Sequence, residues 1–246
     1  MVKKGLLILI IAVLVAGGAF AQSNTVTVDV GPYIVGLALV NMTSTLTSMI
    51  ENVGSIDLNG FSIAGQYERQ IFRQFSVAAR GVYGKYTVGI NFIDEETGIR
   101  ALANTGLVSW AAEGHARFYP LGDTFFLDGM LGFSQLSADL SGRFIVDVGS
   151  VSIDKPALVS ESSNYLKFGG KLGWRISFGR NGGFTFEPAI GYYAGIPLGD
   201  ALGKKISASL TQQTGGQVPI DEEFDLLEKY IFVGGPRVTL SFGYRF

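Results

Sequence analysis

Beyond residue 22 the chain alternates apolar and polar residues, and the alternation stops and resumes repeatedly. A period of two marks an extended strand with unlike faces, because successive side chains point to opposite sides. The pattern predicts eight strands, at about 25–40, 58–69, 74–88, 106–119, 125–140, 162–178, 184–197 and 230–246. Their connections alternate in length. Gln70 to Arg73, Pro120 to Thr124 and Gly179 to Gly183 are short and turn-like, whereas 41–57, 89–105, 141–161 and 198–229 are long. An eight-stranded antiparallel up-and-down barrel, with both chain ends on its short-turn side, has this rhythm.

The charges divide each strand into two faces. In the fourth, Val108, Trp110, Ala112, Gly114, Ala116 and Phe118 share one face, opposite Glu113, His115 and Arg117. In the sixth, Leu166, Phe168, Leu172, Trp174 and Ile176 stand opposite Lys167, Lys171 and Arg175. The same division puts Asp29, Gln66, Glu68, Arg80, Asp128, Glu187, Tyr193 and Arg245 on the charged faces of the other strands. Eight strands enclose a bore that their own side chains fill. If the charged faces are enclosed, nearly balanced cations and anions are expected to pair with one another, because isolated buried ions are costly. His115 would be one satisfied member of that plug, and a wide pore is not expected. The fifth strand breaks the pattern. Phe133 lies on the apolar face but Leu136, Ala138 and Leu140 fall on the other parity, which predicts a bulge near Gln135.

Composition sharpens this picture. Apolar residues make up 47% of the chain, with 34 glycines and 18 phenylalanines, yet beyond the N-terminus no long apolar run occurs. Dispersed hydrophobicity of this kind suits strands with one apolar face and argues against a helical membrane protein. The N-terminus, MVKKGLLILIIAVLVAGGAFAQ, has the charged start, short apolar middle and small residues of a secretory signal. Cleavage is expected after Ala21, leaving 22–246 as a single barrel domain. Losing Lys3 and Lys4 takes the net charge from −2 to −4, which disfavours nucleic acid as a partner. The absence of cysteine excludes disulfides and thiol chemistry.

Candidate chemistry is sparse. His115 is the single histidine, so no multi-histidine metal site is available, and GHARF pairs it with no nucleophile. Neither an enzyme nor a cofactor is expected. GDALGKKIS at 199–207 has three residues between its glycines where a phosphate loop has four, and lysine where that loop has Ser/Thr. Two long connections carry apolar residues at helical spacing: Leu46, Met49, Ile50 and Val53 in the first, and Phe224, Leu226 and Leu227 within IDEEFDLLEKYIF in the last. Each either packs on the barrel rim or offers a hydrophobic entry or partner surface.

Aromatic residues gather at the short-turn end of each hairpin: Tyr67, Phe72 and Phe75, then Phe118, Tyr119, Phe125 and Phe126, then Phe178, Phe184 and Phe186, with Tyr244 and Phe246 at the chain end. Such a girdle suits a headgroup boundary. The chain finishes SFGYRF, with Val238, Leu240, Phe242, Tyr244 and Phe246 on one face. In these features essentially the whole mature chain resembles the small outer-membrane barrels of the OmpA/OmpX/OmpW kind. The resemblance implies a bacterial outer-membrane location, lipid against the apolar face, and a C-terminal signal in those five residues for the barrel-insertion machinery. It also implies function in the mouth and loops: passage of small hydrophobic molecules from the outer opening sideways into the membrane, with Leu46, Met49, Ile50 and Val53 lining the entry. An adhesin that engages host surface ligands through its loops is the second reading. A soluble ligand-binding barrel, which would reverse both faces, is the third.

Overall fold

The computed structural model describes residues 23–29, 53–94, 99–148, 151–179, 183–214 and 233–246. Its strands are β1 Ser23–Asp29, β2 Val53–Phe72, β3 Phe75–Asp94, β4 Ile99–Phe118, β5 Phe125–Val148, β6 Val151–Trp174, β7 Ile176–Phe178, β8 Gly183–Pro197 and β9 Gly235–Arg245, with helix α1 at Leu202–Thr214 between the last two. Each strand from β1 to β5 pairs antiparallel with its successor. β6 and β7 both pair with β8, β8 with β9, and β9 with β1 from Thr25↔Arg245 to Asp29↔Ser241. β7 prolongs β6 beyond Arg175, so nine segments make eight staves of a closed antiparallel up-and-down barrel. Closure satisfies the edge groups an open sheet would expose. Asn24 and Phe246 complete the seam by exchanging backbone hydrogen bonds of 2.8 and 2.9 Å.

At the end where β1 begins and β9 finishes, the two fully described turns are tight. Two residues, Arg73 and Gln74, join β2 to β3. The β4–β5 turn places Gly122 at a φ of 80°, a left-handed conformation that glycine adopts without a Cβ clash.

At the opposite end the strands run farther than alternation predicts. β3 continues to Asp94 and β4 starts at Ile99, while β5 reaches Val148 and β6 starts at Val151. Most of 89–105 and 141–161, expected as loops, is therefore paired strand. Ladder hydrogen bonds sustain it, as in Ile99↔Val146 and Val148↔Val151, and they need no amphipathic pattern.

The wall is consequently uneven. β5 and β6 have 24 residues each and β2 to β4 have 20, against 15 in β8 and 11 in β9. Spanning a bilayer takes about 9–11 tilted residues. The taller staves stand well above that height.

The bulge expected near Gln135 is absent. Trp110↔Gln135 and Gln135↔Asn164 sit in unbroken registers on both sides of β5. Parity is kept, and the surroundings of the strand change instead.

Candidate functional site

The half of the lumen nearest the tight turns is ionic. Arg117 donates from Nε to Asp128 at 2.7 Å and from Nη1 to Glu68 at 2.6 Å and Glu187 at 2.9 Å. Arg175 holds the same two glutamates from the other side, each at 2.6 Å. Glu68 also accepts from Ser76 and Tyr119. Above this cluster Arg80 bridges Asp29 at 2.7 Å and Glu113 at 2.8 Å, and Lys167 donates to Glu113 at 3.1 Å. His115 joins the two groups, with Nδ1 at 2.8 Å from Asp128 and Nε2 at 3.4 Å from Glu113. Lys171 lies 3.6 Å from Asp128. The guanidinium of Arg117 stacks on Phe126, and that of Arg175 on Tyr119.

All of these charged side chains are buried, so at this level the described side chains fill the bore. Removing one partner would leave its neighbours charged, buried and unsatisfied, at about 3–5 kcal/mol. Arg245 stands apart at the turn-side rim, bonded to Asp123 at 2.6 Å, Gln70 at 3.0 Å and Ser23 at 3.1 Å. The hydrogen bond from Arg245 holds the Asp123 carboxyl below the usual aspartate range.

Around the ionic half the outer surface is apolar. Val77, Trp110, Phe118, Leu127, Leu131, Phe168, Leu172, Trp174, Ile190, Val238 and Phe242 are all exposed. On β5 this belt runs from Phe125 to Phe133, close to the length that crosses hydrocarbon. It ends where the Trp110 indole donates to Gln135 at 2.7 Å.

Beyond the belt the two faces exchange character. Asp139 and Ser141 of β5 and Ser160, Ser162 and Asn164 of β6 are exposed on the outside. Leu136, Ala138 and Leu140 of β5, Val159 and Tyr165 of β6 and Leu107 of β4 are buried on the inside, in one cluster with Val233 and with Leu202, Ile206 and Leu210 of α1. Leu131 is 60% exposed and Leu136 is 2% exposed on the same strand.

α1 lies where the wall is incomplete. β8 ends at Pro197, opposite Tyr165, so among the described residues β6 above that point has only β5 as a strand neighbour. Gly199, with a φ of 121°, turns the chain inward. Side chains of α1 then satisfy the free edge of β6. The Gln213 amide donates to the Leu158 carbonyl at 2.7 Å and accepts from its N–H at 3.4 Å, and Lys205 donates to the Ser162 carbonyl at 2.7 Å.

Ser209 donates to Glu161 at 2.6 Å, and the Tyr165 hydroxyl accepts from the Leu202 N–H, one of the unpaired donors of the first helical turn. A helix this short, with glycine, serine and threonine in it, is marginal alone. Burying Leu202, Ile206 and Leu210, at about 1.5–3 kcal/mol each, holds it in place.

Of the residues singled out in the sequence, Asp29, Glu68, Arg80, Glu113, His115, Arg117, Asp128, Lys167, Lys171, Arg175 and Glu187 meet inside the barrel, whereas Arg245 lies at its rim. Val238, Phe242, Tyr244 and Phe246 are exposed on the outside of β9, where Phe242 and Tyr244 stack on Phe186 and Phe184. Leu240 shares that face and is partly covered. Leu46, Met49, Ile50, Phe224, Leu226, Leu227 and the N-terminal segment lie outside the described residues, and Val53 is the first residue of β2. The α1 stripe and the inner face it covers escaped the sequence reading. Two signals pointed to them: the parity conflict in the fifth strand, and the four-residue spacing of Leu202, Ile206 and Leu210.

No family model matches the chain, and no curated protein matches it. Two crystal structures of Ail, the attachment invasion locus protein of Yersinia pestis, are similar in fold. One is at 12% identity and a TM-score of 0.42. The other, a complex with the heparin analogue sucrose octasulfate, is at 10% and 0.41. Each alignment covers 91% of this chain and 98% of the Ail chain.

Proposed function

We propose that this chain is an integral barrel of a bacterial outer membrane that passes small hydrophobic molecules, taking them into its apolar outer half and releasing them sideways. The reversal of the lining carries this reading. The inner face of the outer half is apolar at Leu107, Leu136, Leu140 and Val159, which α1 covers, and below it the ion pairs of Arg80, Glu113 and Lys167 close the bore. Axial passage would require desolvated charges to separate, at several kcal/mol per ion. Sideways, among the described residues, β6 above Tyr165 is bounded on the side away from β5 by a helix rather than by hydrogen-bonded strand. The apolar belt supports lipid contact, and Val238, Leu240, Phe242, Tyr244 and Phe246 serve in this reading as the signal for the insertion machinery.

Reconstitution tests the proposal. A planar bilayer containing the barrel is expected to show no large steady conductance, while liposomes carrying it take up a hydrophobic fluorescent tracer faster than empty ones. Leu136→Asp is expected to remove the faster uptake. Large, weakly selective current steps, or uptake indifferent to Leu136→Asp, would overturn it.

The polar outer faces of the tall strands, at Asp139, Ser141, Ser160, Ser162 and Asn164, favour a second reading. In that reading they present a surface to host ligands. Loss of cell binding on replacing these residues, with tracer uptake intact, would select it.

A further inference from the structure

Three adjoining staves bring two cations to one phenol at the upper margin of the ionic half. Tyr193 of β8 pairs with Gly169 of β6 and with Gly235 of β9, neither of which has a side chain. Its ring lies over Gly169, where a Cβ would stand 2.7 Å from Tyr193 Cδ1. Lys167, two residues from Gly169, and Arg237, two residues from Gly235, share the inner face with Tyr193, because residues two apart on a strand point the same way. The Lys167 ammonium stands 6.0 Å from the centre of the Tyr193 ring, and the Arg237 guanidinium 5.4 Å.

Hydrogen bonding here is uneven. Lys167 gives one of its N–H donors to Glu113 at 3.1 Å, and Glu113 also accepts from Arg80 at 2.8 Å. Tyr193 is 2% exposed, and among the described residues its hydroxyl bonds nothing. Charge is uneven in the same place. Among the described residues Arg80, Lys167 and Arg237 bring positive charge to this level, against Asp29 and Glu113. Buried donors and one surplus cation call for an acceptor carrying a single negative charge. Arg237 is only partly buried, which gives such a guest a way in from solvent.

We infer that Lys167, Tyr193 and Arg237 form a binding site for a small carboxylate. The guanidinium is a planar fork that fits two carboxylate oxygens, and the ammonium and the phenol add further donors. One negative charge evens the local balance, whereas a dianion would reverse it. The site goes beyond the passage reading and does not depend on it.

The test uses the full-length barrel in nanodiscs of zwitterionic lipid, with its tyrosines isotopically labelled at Cζ for NMR. The resonance missing from Tyr193→Phe reports on the site. Acetate is expected to shift it saturably, and neutral acetamide to leave it in place. Arg237→Met and Lys167→Met are each expected to weaken acetate binding by about tenfold or more. Lys85→Met, at an exposed position of β3, is expected to leave it unchanged. Heat-modifiable gel mobility checks that each variant is folded, and Arg237→Met, at a half-buried position, keeps the test decisive if Lys167→Met is not.

No acetate-dependent shift in wild type would overturn the inference. So would a shift that grows without saturating, the mark of an adventitious ion only, or equal affinity in wild type and the folded variants at Lys167 and Arg237. The tracer assay separates the two readings. Acetate binding without tracer uptake would end the passage proposal and leave this site standing, and uptake without acetate binding would do the reverse.

Discussion

On the turn side, β5 points Leu131 outward and Asp128 inward; farther along the same strand, it points Asp139 outward and Leu140 inward. The strand has not slipped, since its registers with β4 and β6 are continuous throughout. On the membrane placement proposed above, what differs is where water is. Beside the belt the exterior suits hydrocarbon, so apolar side chains go out and charges are left to pair inside. Above the belt the exterior of β5 and β6 is polar except for Leu158, most apolar side chains turn in, and the chain supplies α1 to cover them. A strand's amphipathic pattern thus specifies two faces, and solvent on either side decides which one becomes the core.

The contrast can be broken most severely in the ionic half. Arg117→Leu leaves Glu68, Asp128 and Glu187 each short of a partner, and is expected to cost about 3–5 kcal/mol. Urea unfolding of the barrel in lipid, followed by heat-modifiable gel mobility, measures it. Next in size is a pair of substitutions that locates the upper limit of the belt. Leu131→Arg is expected to destabilise by about 2–4 kcal/mol, and Ser160→Arg, beyond the belt, by about 0–1 kcal/mol. Equal penalties would mean that hydrocarbon reaches as high as Ser160.

A smaller effect is expected in the outer half. Gln213→Leu removes both bonds to Leu158 and should weaken α1 docking by about 1 kcal/mol. Faster amide exchange within 202–214, with strand exchange unchanged, is the expected signature.

The smallest effect is at the rim. Because Arg245 depresses the Asp123 carboxyl in the folded state, their pairing contributes stability above the unfolded-state pKa and loses it as pH falls through the lower folded value. The difference in unfolding midpoint between wild type and Asp123→Asn should be small at neutral pH and vanish well below about pH 4.

Strand number, the division of each strand into two faces and the grouping of Glu68, Arg80, Glu113, Arg117 and Arg175 were legible because period two and charge act locally. The belt's lower margin was legible only in part through its aromatics: Phe72, Phe118, Phe178, Phe184, Tyr244 and Phe246 are exposed, whereas Tyr119 and Phe126, read with them, are buried against the ionic cluster. Strand length was less so: the ladder in 89–105 and 141–161 depends on partners far along the chain. In the fifth strand, Leu136, Ala138 and Leu140 gave a correct signal of inward apolar residues. It was misread as a register fault, because only one environment was assumed for the whole length.

α1 was obscured by the resemblance of GDALGKKIS to a failed phosphate loop, and by weak helix formers such as Gly203, Ser207 and Ser209. Its stability comes from the apolar inner face that receives it.

The sequence by itself determined the two faces of every strand and the near balance of opposite charges, since both follow from side-chain chemistry at fixed spacing along an extended backbone. Only the tertiary structure decided which face is inside at each height, where β8 stops beside β6, and that a polar-looking segment becomes a helix closing the difference. Those outcomes depend on which surfaces meet water once the barrel has closed, and no local pattern carries that information.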